Sequence, residues 1–279
     1  MKVSNIMTRN VVHVEVPGNR EHLLELMNKH GVMGLPVVKK GTKEVVGIVT
    51  RTDLMQKPDE EQIAMLMTRD PIVTTPDTDI KDVAKILLEK NIRRLPVVED
   101  GKLIGIITVA DIVWKAISRM NIDKPIKPYV QKKITAVWEG TPLPVAYIVM
   151  RLADVQALPV LGNEGQLVGI ITDTDFISLS EVVDESKVSE VSAASEGTKW
   201  SWDASTYIYI AKKKLKLPKK TVSEVMVTNV IKVAEQISVS ECAKMMRKYD
   251  IDQFPVVNAK GDLVGMITDV NLLKVLLET

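Results

Sequence analysis

Apolar and polar positions along the chain fall into a phrase that occurs four times. LPVVKKGTKEVVGIVT at 35–50 returns as LPVVEDGKLIGIIT at 95–108, LPVLGNEGQLVGIIT at 158–172 and FPVVNAKGDLVGMIT at 254–268. Each copy reads as a short apolar strand, a polar turn containing glycine and a second apolar strand, which predicts a β-hairpin. The turn glycines are Gly41, Gly101, Gly165 and Gly261, placed where a positive φ costs glycine little. Upstream of each hairpin the period changes to that of a helix. In the second copy Ile80, Ala84, Leu87 and Leu88 fall on one face of DIKDVAKILLEK, with charges opposite. Farther upstream, VVHVEV, PIVTTP, ITAVWEG and VIKVAE each predict a brief strand. After each hairpin, Thr-x-x-Asp or Thr-x-x-Asn predicts the start of another helix. The unit is therefore β-α-β-β-α, and the fold class is α/β in the broad sense (α+β).

One such unit, of roughly 50–60 residues, would be marginal alone and gains by packing sheet to sheet against a second. The prolines of the repeated phrase, Pro36, Pro96, Pro159 and Pro255, are evenly spaced except before the last. The expected division is repeat one at 1–57, repeat two at 58–122, repeat three at 123–180, an insertion at 181–220 and repeat four at 221–279. Within the insertion, Trp200 and Trp202 argue against a simple linker, because large aromatics anchor against a surface. KKKLKLPKK at 212–220 reads as a solvated face, with attraction of phosphate or an acidic partner as the alternative.

Bulk properties narrow the function classes. Of 279 residues, 46% are hydrophobic and 26% charged, as in a soluble globular protein. A net charge of +1 gives no push toward nucleic acid. No apolar run reaches the ~18–20 residues of a membrane span, and MKVSNIMTRN lacks the apolar core of a signal peptide. The single cysteine, Cys242, excludes an internal disulfide framework and fits a reducing cytoplasm; its apolar helical setting suggests packing rather than reactivity. His13, His22 and His30 match no zinc spacing. Walker, GxSxG and HExxH motifs are absent, so no catalytic residue is expected.

The phrase LPVV…G.L.GIIT..D resembles the CBS (cystathionine β-synthase) domain, in four copies that cover nearly the whole chain. The layout is similar to that of the AMP-activated protein kinase gamma subunit and of archaeal stand-alone four-repeat proteins. The resemblance implies two intramolecular pairs (Bateman modules), repeats one with two and three with four, in a disk-like monomer or homodimer. It further implies adenosine-containing ligands in clefts between paired repeats. The Asp of Thr-x-x-Asp would take the ribose hydroxyls, the Thr would lie near phosphate, and the residues before the partner's LPVV strand would face base and phosphates. Carried onto this chain, Thr50 and Asp53 share a cleft with Ile92, Arg93 and Arg94; Thr108 and Asp111 face Met33 and Gly34; Thr172 and Asp175 face Ile251, Asp252 and Gln253. In the fourth copy Asn271 replaces the Asp and leaves Thr268 with a weaker ribose acceptor.

The chemistry is consistent with this. A carboxylate accepts two charge-assisted bonds from vicinal ribose hydroxyls, a helix N-terminus suits phosphate, and Ile72 and Val73 offer flat contacts to a purine. Thr-x-x-Asp is also close to a capping box, which favours Glu or Gln at its fourth position; the two roles are compatible. Arg93 and Arg94 make the Asp53 cleft the first choice for AMP, ADP or ATP, with or without magnesium. Met33 and Gly34 bring no cation to the Asp111 cleft, which suits a nucleoside or weakly charged ligand. Asp154, Asp173, Asp175, Asp252 and Asp269 make the second pair acidic and suit S-adenosylmethionine or leave it empty. The expected function is a non-enzymatic sensor that passes ligand binding to a regulated protein. The alternatives are a scaffold with ligand-free clefts and, behind it, a nucleic-acid binder.

Overall fold

The computed structural model describes residues 1–57, 59–179, 181–191 and 206–278. Repeat one comprises β1 (Val14–Val16), α1 (Arg20–His30), β2 (Gly34–Lys39), β3 (Val45–Thr50) and α2 (Arg51–Gln56), followed by the short α3 (Ile63–Leu66) and β4 (Thr68–Arg69). Repeat two has α4 (Ile80–Glu89), β5 (Arg94–Glu99), β6 (Lys102–Thr108) and α5 (Val109–Asp111), which continues through helical turns to Arg119. Repeat three has β7 (Val137–Trp138), α6 (Leu143–Ala153), β8 (Ala157–Leu161), β9 (Leu167–Thr172) and α7 (Asp173–Leu179). After β10 (Glu181–Val191) and β11 (Thr206–Lys216), repeat four supplies β12 (Val233–Ala234), α8 (Val239–Tyr249), β13 (Gln253–Val257), β14 (Leu263–Thr268) and α9 (Asp269–Leu273).

The hairpins form as the pattern predicts. In each, the LPVV strand pairs antiparallel with the GIIT strand and the register slips at one place, between Val37/Val38, Val97/Val98, Val160/Leu161 and Val256/Val257. The turn glycines have φ between +75 and +88°, the left-handed region that a side chain rarely enters. In repeats one, three and four the opening strand runs parallel to the LPVV strand, and the intervening helix is the crossover such pairing requires. PIVTTP is the exception. Only Thr74 bridges to Val97, because Pro71 and Pro76 bracket the segment and cannot donate to a ladder.

The opening segments are exchanged within pairs, which the sequence pattern did not foretell. Residues at the start of repeat one pair with repeat two, through Thr8 with Ile106 and Lys2 with Asp79. The start of repeat two returns the exchange, since β4 adds to β3 through Gly47↔Arg69 and Ile48↔Thr68. Repeats three and four repeat the arrangement, with Ile170↔Val227 in one direction and Gln131↔Met266 in the other. This reciprocal backbone pairing joins one to two and three to four, as the resemblance implies.

A second contact crosses between the pairs. The buried residues of repeats two and four form one continuous core, with Leu95, Ile107, Ile112 and Ile117 from one and Val239, Met246, Phe254 and Leu272 from the other. Repeats one and three keep cores of their own. The apolar residue before each hairpin proline, Leu35, Leu95, Leu158 or Phe254, is at most 2% exposed, so this position anchors every repeat. Cys242 lies in the shared core, and burial pushes its thiol up to about 12, consistent with packing rather than reactivity.

In the insertion, β10 and β11 pair antiparallel, in a register that places Glu181 opposite Lys216, Asp184 opposite Lys213 and Glu185 opposite Lys212, so three lysine positions of the basic run have acidic register partners. Trp200 and Trp202, expected as anchors, lie outside the described residues. Among the described residues no helix is long and apolar enough to cross a membrane.

Candidate functional site

Each Thr-x-x-Asp stands where a GIIT strand turns into a helix, and the turn is stabilised from within. One carboxylate oxygen, Asp53 Oδ2, accepts from the Thr50 backbone N–H and from its hydroxyl, both at 2.7 Å. The same double bond is made by Thr108 to Asp111 Oδ2 at 2.9 and 2.7 Å, and by Thr172 to Asp175 Oδ2 at 2.7 Å twice. Thr268 donates to Asn271 Oδ1 at 3.1 and 2.9 Å. The reciprocal capping box is complete in copies one, two and four, and in the third Thr172 makes its half of it to Asp175. The carbonyl before each LPVV strand adds a second tie within the repeat. Met33, Arg93, Gln156 and Asp252 accept from the first helical N–H, of Arg51, Val109, Asp173 and Asp269 respectively, at 2.7–3.0 Å.

The cap uses one oxygen and leaves the other, and the four copies differ in what becomes of it. Asp53 and Asp175 are half-buried, and among the described residues their Oδ1 atoms have no hydrogen-bond partner. Asp111 is only 8% exposed, and its Oδ1 is taken by Lys115 Nζ at 2.6 Å and the Thr8 hydroxyl at 3.3 Å. Asn271 has spent its only oxygen and has an NH2 left, a donor. Asp53 and Asp175 thus retain a free acceptor suited to a ribose diol; Asp111 and Asn271 do not.

The cation placement corrects the expected cleft. Arg93 does not turn toward Asp53. Its Nη2 pairs with Asp252 at 3.1 Å and Asp269 at 2.8 Å, across the interface of repeats two and four. Ile92 is half-buried and packs against the core that its own repeat contributes to. Arg94 is the residue that reaches repeat one: a Cβ built on Gly34 would collide with Arg94 Nη1 and meet Thr50 Cγ2 at 3.0 Å. A side chain at Gly34 would displace the guanidinium from this position. Among the described residues Arg94 has no hydrogen-bond or ion-pair partner, and burial beside Arg93 draws its pKa down to about 10, which leaves it charged at neutral pH. Sequence neighbours part here because alternate residues at a strand's entry face opposite ways. Ile72 and Val73 remain open, 41% and 39% exposed.

The second pair is less acidic than its residue count implies. Arg93 neutralises Asp252 and Asp269, so two of the five acids are unavailable to a ligand. Ile251 packs on the shared core, and Asp252, while it pairs with Arg93, also lies beside Asp173. Gln253 pairs in register with Thr268, the place Arg94 holds opposite Thr108, so the equivalent position carries no charge. Asp173 faces Asp252 and Arg51, and burial raises its pKa.

Asp269 is fully buried, and its desolvation pushes it up to about 6 although Arg93 opposes the shift. The folded state then holds a proton that the unfolded state, at its ordinary 3.8, has released. Its stabilising contribution is complete below pH ~4 and is lost as pH rises through about 6. Asp269→Asn is expected to flatten this part of the stability profile, measured by urea unfolding from pH 4 to 7; an unchanged slope would assign it elsewhere.

A cavity of about 300 Å³ opens beside Thr8, lined by residues 9–13 with Lys43, Leu103 and Ile104. Sequence reasoning missed these residues and Lys115. The signal was present: MTRN at 7–10 repeats as MTRD at 67–70, which makes Val12 and His13 counterparts of Ile72 and Val73. Among the described residues, no three His, Cys, Asp or Glu side chains are grouped to hold a metal ion.

Comparison with known proteins agrees with this architecture. A family model described as the CBS domain matches residues 3–60, 62–117, 126–181 and 222–278. An uncharacterized protein of Methanocaldococcus jannaschii, MJ1225, is 26% identical over 272 residues, 90% of each chain. The crystal structure of MJ1225, proposed as an archaeal homologue of g-AMPK, shares the fold with a TM-score of 0.74 and 24% identity over 99% of both chains. That of an uncharacterized conserved protein from Pyrococcus horikoshii gives 0.71 and 32% identity, covering 99% of this chain and 100% of its own.

Proposed function

The chain belongs to the CBS domain family, and from that premise we propose that it is a non-enzymatic regulatory protein that binds an adenosine-containing ligand between repeats one and two. The observation that carries the reading is the pairing of two unspent groups: Asp53 Oδ1, left over from its cap, and the Arg94 guanidinium beside Thr50. An acceptor for a ribose diol and a desolvated cation for phosphate together fit AMP, ADP or ATP. Ile72 and Val73 supply apolar surface for the purine. Magnesium, where it takes part, would arrive with the phosphates. The Asp175 cleft, with Gln253 in the place of the arginine, suits S-adenosylmethionine, whose cationic groups are compatible with Asp173. The lone buried cysteine fits action in the cytoplasm. The regulated partner would respond to how ligand biases the packing of the pairs, by an amount set by the difference in affinity for the two arrangements.

A thermal-shift titration against AMP, ADP, ATP and S-adenosylmethionine, with and without magnesium, tests this. A ligand at 100 times its Kd should stabilise the protein by about 2.7 kcal/mol. The nucleotide shift is expected to disappear in Asp53→Ala and to weaken at least tenfold in apparent affinity in Arg94→Gln, with Asp111→Asn far less affected. No shift from any of the four ligands would leave Thr-x-x-Asp as capping alone and make the chain a scaffold.

A further inference from the structure

The four repeats provide an internal control for every surface position, and one position set breaks the rule. Aligned on their buried pairs (Leu23 and Met27, Val83 and Leu87, Ala146 and Met150, Cys242 and Met246), the first helices of the repeats expose three equivalent sites. In α1 these are His22, Glu25 and Lys29; in α4, Asp82, Lys85 and Glu89; in α8, Glu241, Lys244 and Lys248. Ion pairs run along two of these faces, Lys85 with Glu89 and Lys244 with Glu241, and on the third His22 lies 3.6 Å from Glu25. In α6 the same sites are Val145, Ile148 and Leu152, exposed by 49, 51 and 79%. Their spacing of i, i+3, i+7 places them on one stripe. Pro144 beside it is exposed as well, and Arg151 is the only charge on the helix.

An isolated exposed Leu needs no explanation, but a stripe that is wholly polar or charged in three sister copies and wholly apolar in α6 marks a contact surface. We propose that this face of α6 packs against α6 of a second copy of the chain, antiparallel across a two-fold axis. Such a contact is isologous, so residues related by the axis meet reciprocally. Centred on the stripe, Ile148 meets its own counterpart while Val145 and Leu152 meet each other. The residue on the axis is the selective one, because it must face itself. At that site α1 has Glu25, α4 has Lys85 and α8 has Lys244, each of which would oppose a like charge; in α6 the apolar Ile148 meets no repulsion. A foreign partner would require no such neutrality at the centre. The ligand clefts lie elsewhere, on the strand-to-helix turns, so the inference stands independently of the nucleotide reading.

Ile148→Cys provides the direct test, since the only other cysteine, Cys242, is fully buried. Under mild oxidation the variant is expected to form a disulfide-linked dimer in high yield, whereas Lys85→Cys and Lys244→Cys, at the equivalent sites, are not. In sedimentation velocity the wild-type mass should rise from 31.0 kDa toward twice that value with concentration. Ile148→Lys should stay monomeric, with thermal stability equal to that of the wild type at dilutions where the wild type is itself monomeric, the sign of a surface change. Wild-type protein that remains monomeric throughout, equal cross-linking at all three sites, or a dimer that survives Ile148→Lys would each overturn the proposal.

Discussion

Phe254→Ala is expected to destabilise the protein by about 3–5 kcal/mol, the range for truncating a large buried aromatic. Phe254 is completely buried and is the largest of the four residues that precede a hairpin proline. It also lies in the core that repeats two and four share, so the cavity would remove contacts from both. Leu158→Ala, at the equivalent place in the separate core of repeat three, should cost less, about 2–4 kcal/mol, because a smaller side chain is lost. Urea unfolding of the two variants compares them. If Phe254→Ala costs no more than Leu158→Ala, the shared core does not contribute in the way its packing suggests.

Arg93→Met should be the next largest, at about 3 kcal/mol near neutral pH, the low end of what removing one partner of a buried pair costs. Arg93 is one-third exposed, but Asp269, which it holds at 2.8 Å, is completely buried. Without the guanidinium, Asp269 would be an isolated buried carboxylate. The charged form becomes costlier, so its pKa rises beyond about 6 and protonation relieves the strain. The loss from Arg93→Met is therefore expected to be greater at pH 8 than at pH 5. The double variant Arg93→Met, Asp269→Asn should recover most of it, because the amide still accepts the Val270 N–H bond now made by Asp269 Oδ1 at 2.7 Å and carries no charge. An Arg93→Met loss that does not vary with pH, or that Asp269→Asn leaves in place, would assign the cost to lost packing.

Arg93 and Arg94 also illustrate where reading a sequence succeeds and where it stops. Both arginines were legible as cations at the entry to a hairpin, and both were expected at one phosphate. The strand separates them. Arg94 goes to Gly34 and Thr50 in repeat one, and Arg93 to Asp252 and Asp269 in repeat four. Asp252 and Asp269 lie more than 150 residues from Arg93 in sequence, and no local pattern links them to it. Asp53 and Asp111 show the same limit. Their motifs are nearly identical, yet Asp53 retains an unspent oxygen and Asp111 does not, because the exchanged opening segment brings Thr8 to Asp111 and Lys115 closes over it.

Everything with a short period was legible in the residues alone: the four units, their hairpins and left-handed glycines, the Thr-x-x-Asp caps, the apolar face of the crossover helix α4 and the family. These are set by interactions within a few residues, where propensity, turn chemistry and apolar spacing suffice. Which opening segment completes which sheet, which repeats share a core, and which carboxylates and cations are already spent became visible only in the packed fold. Those outcomes depend on desolvation and pairing between residues distant in the chain, and four near-identical units make the sequence degenerate at that level. The partly buried Arg94, unpaired among the described residues, and the carboxylate oxygens left over from two caps exist only after those pairings have been made.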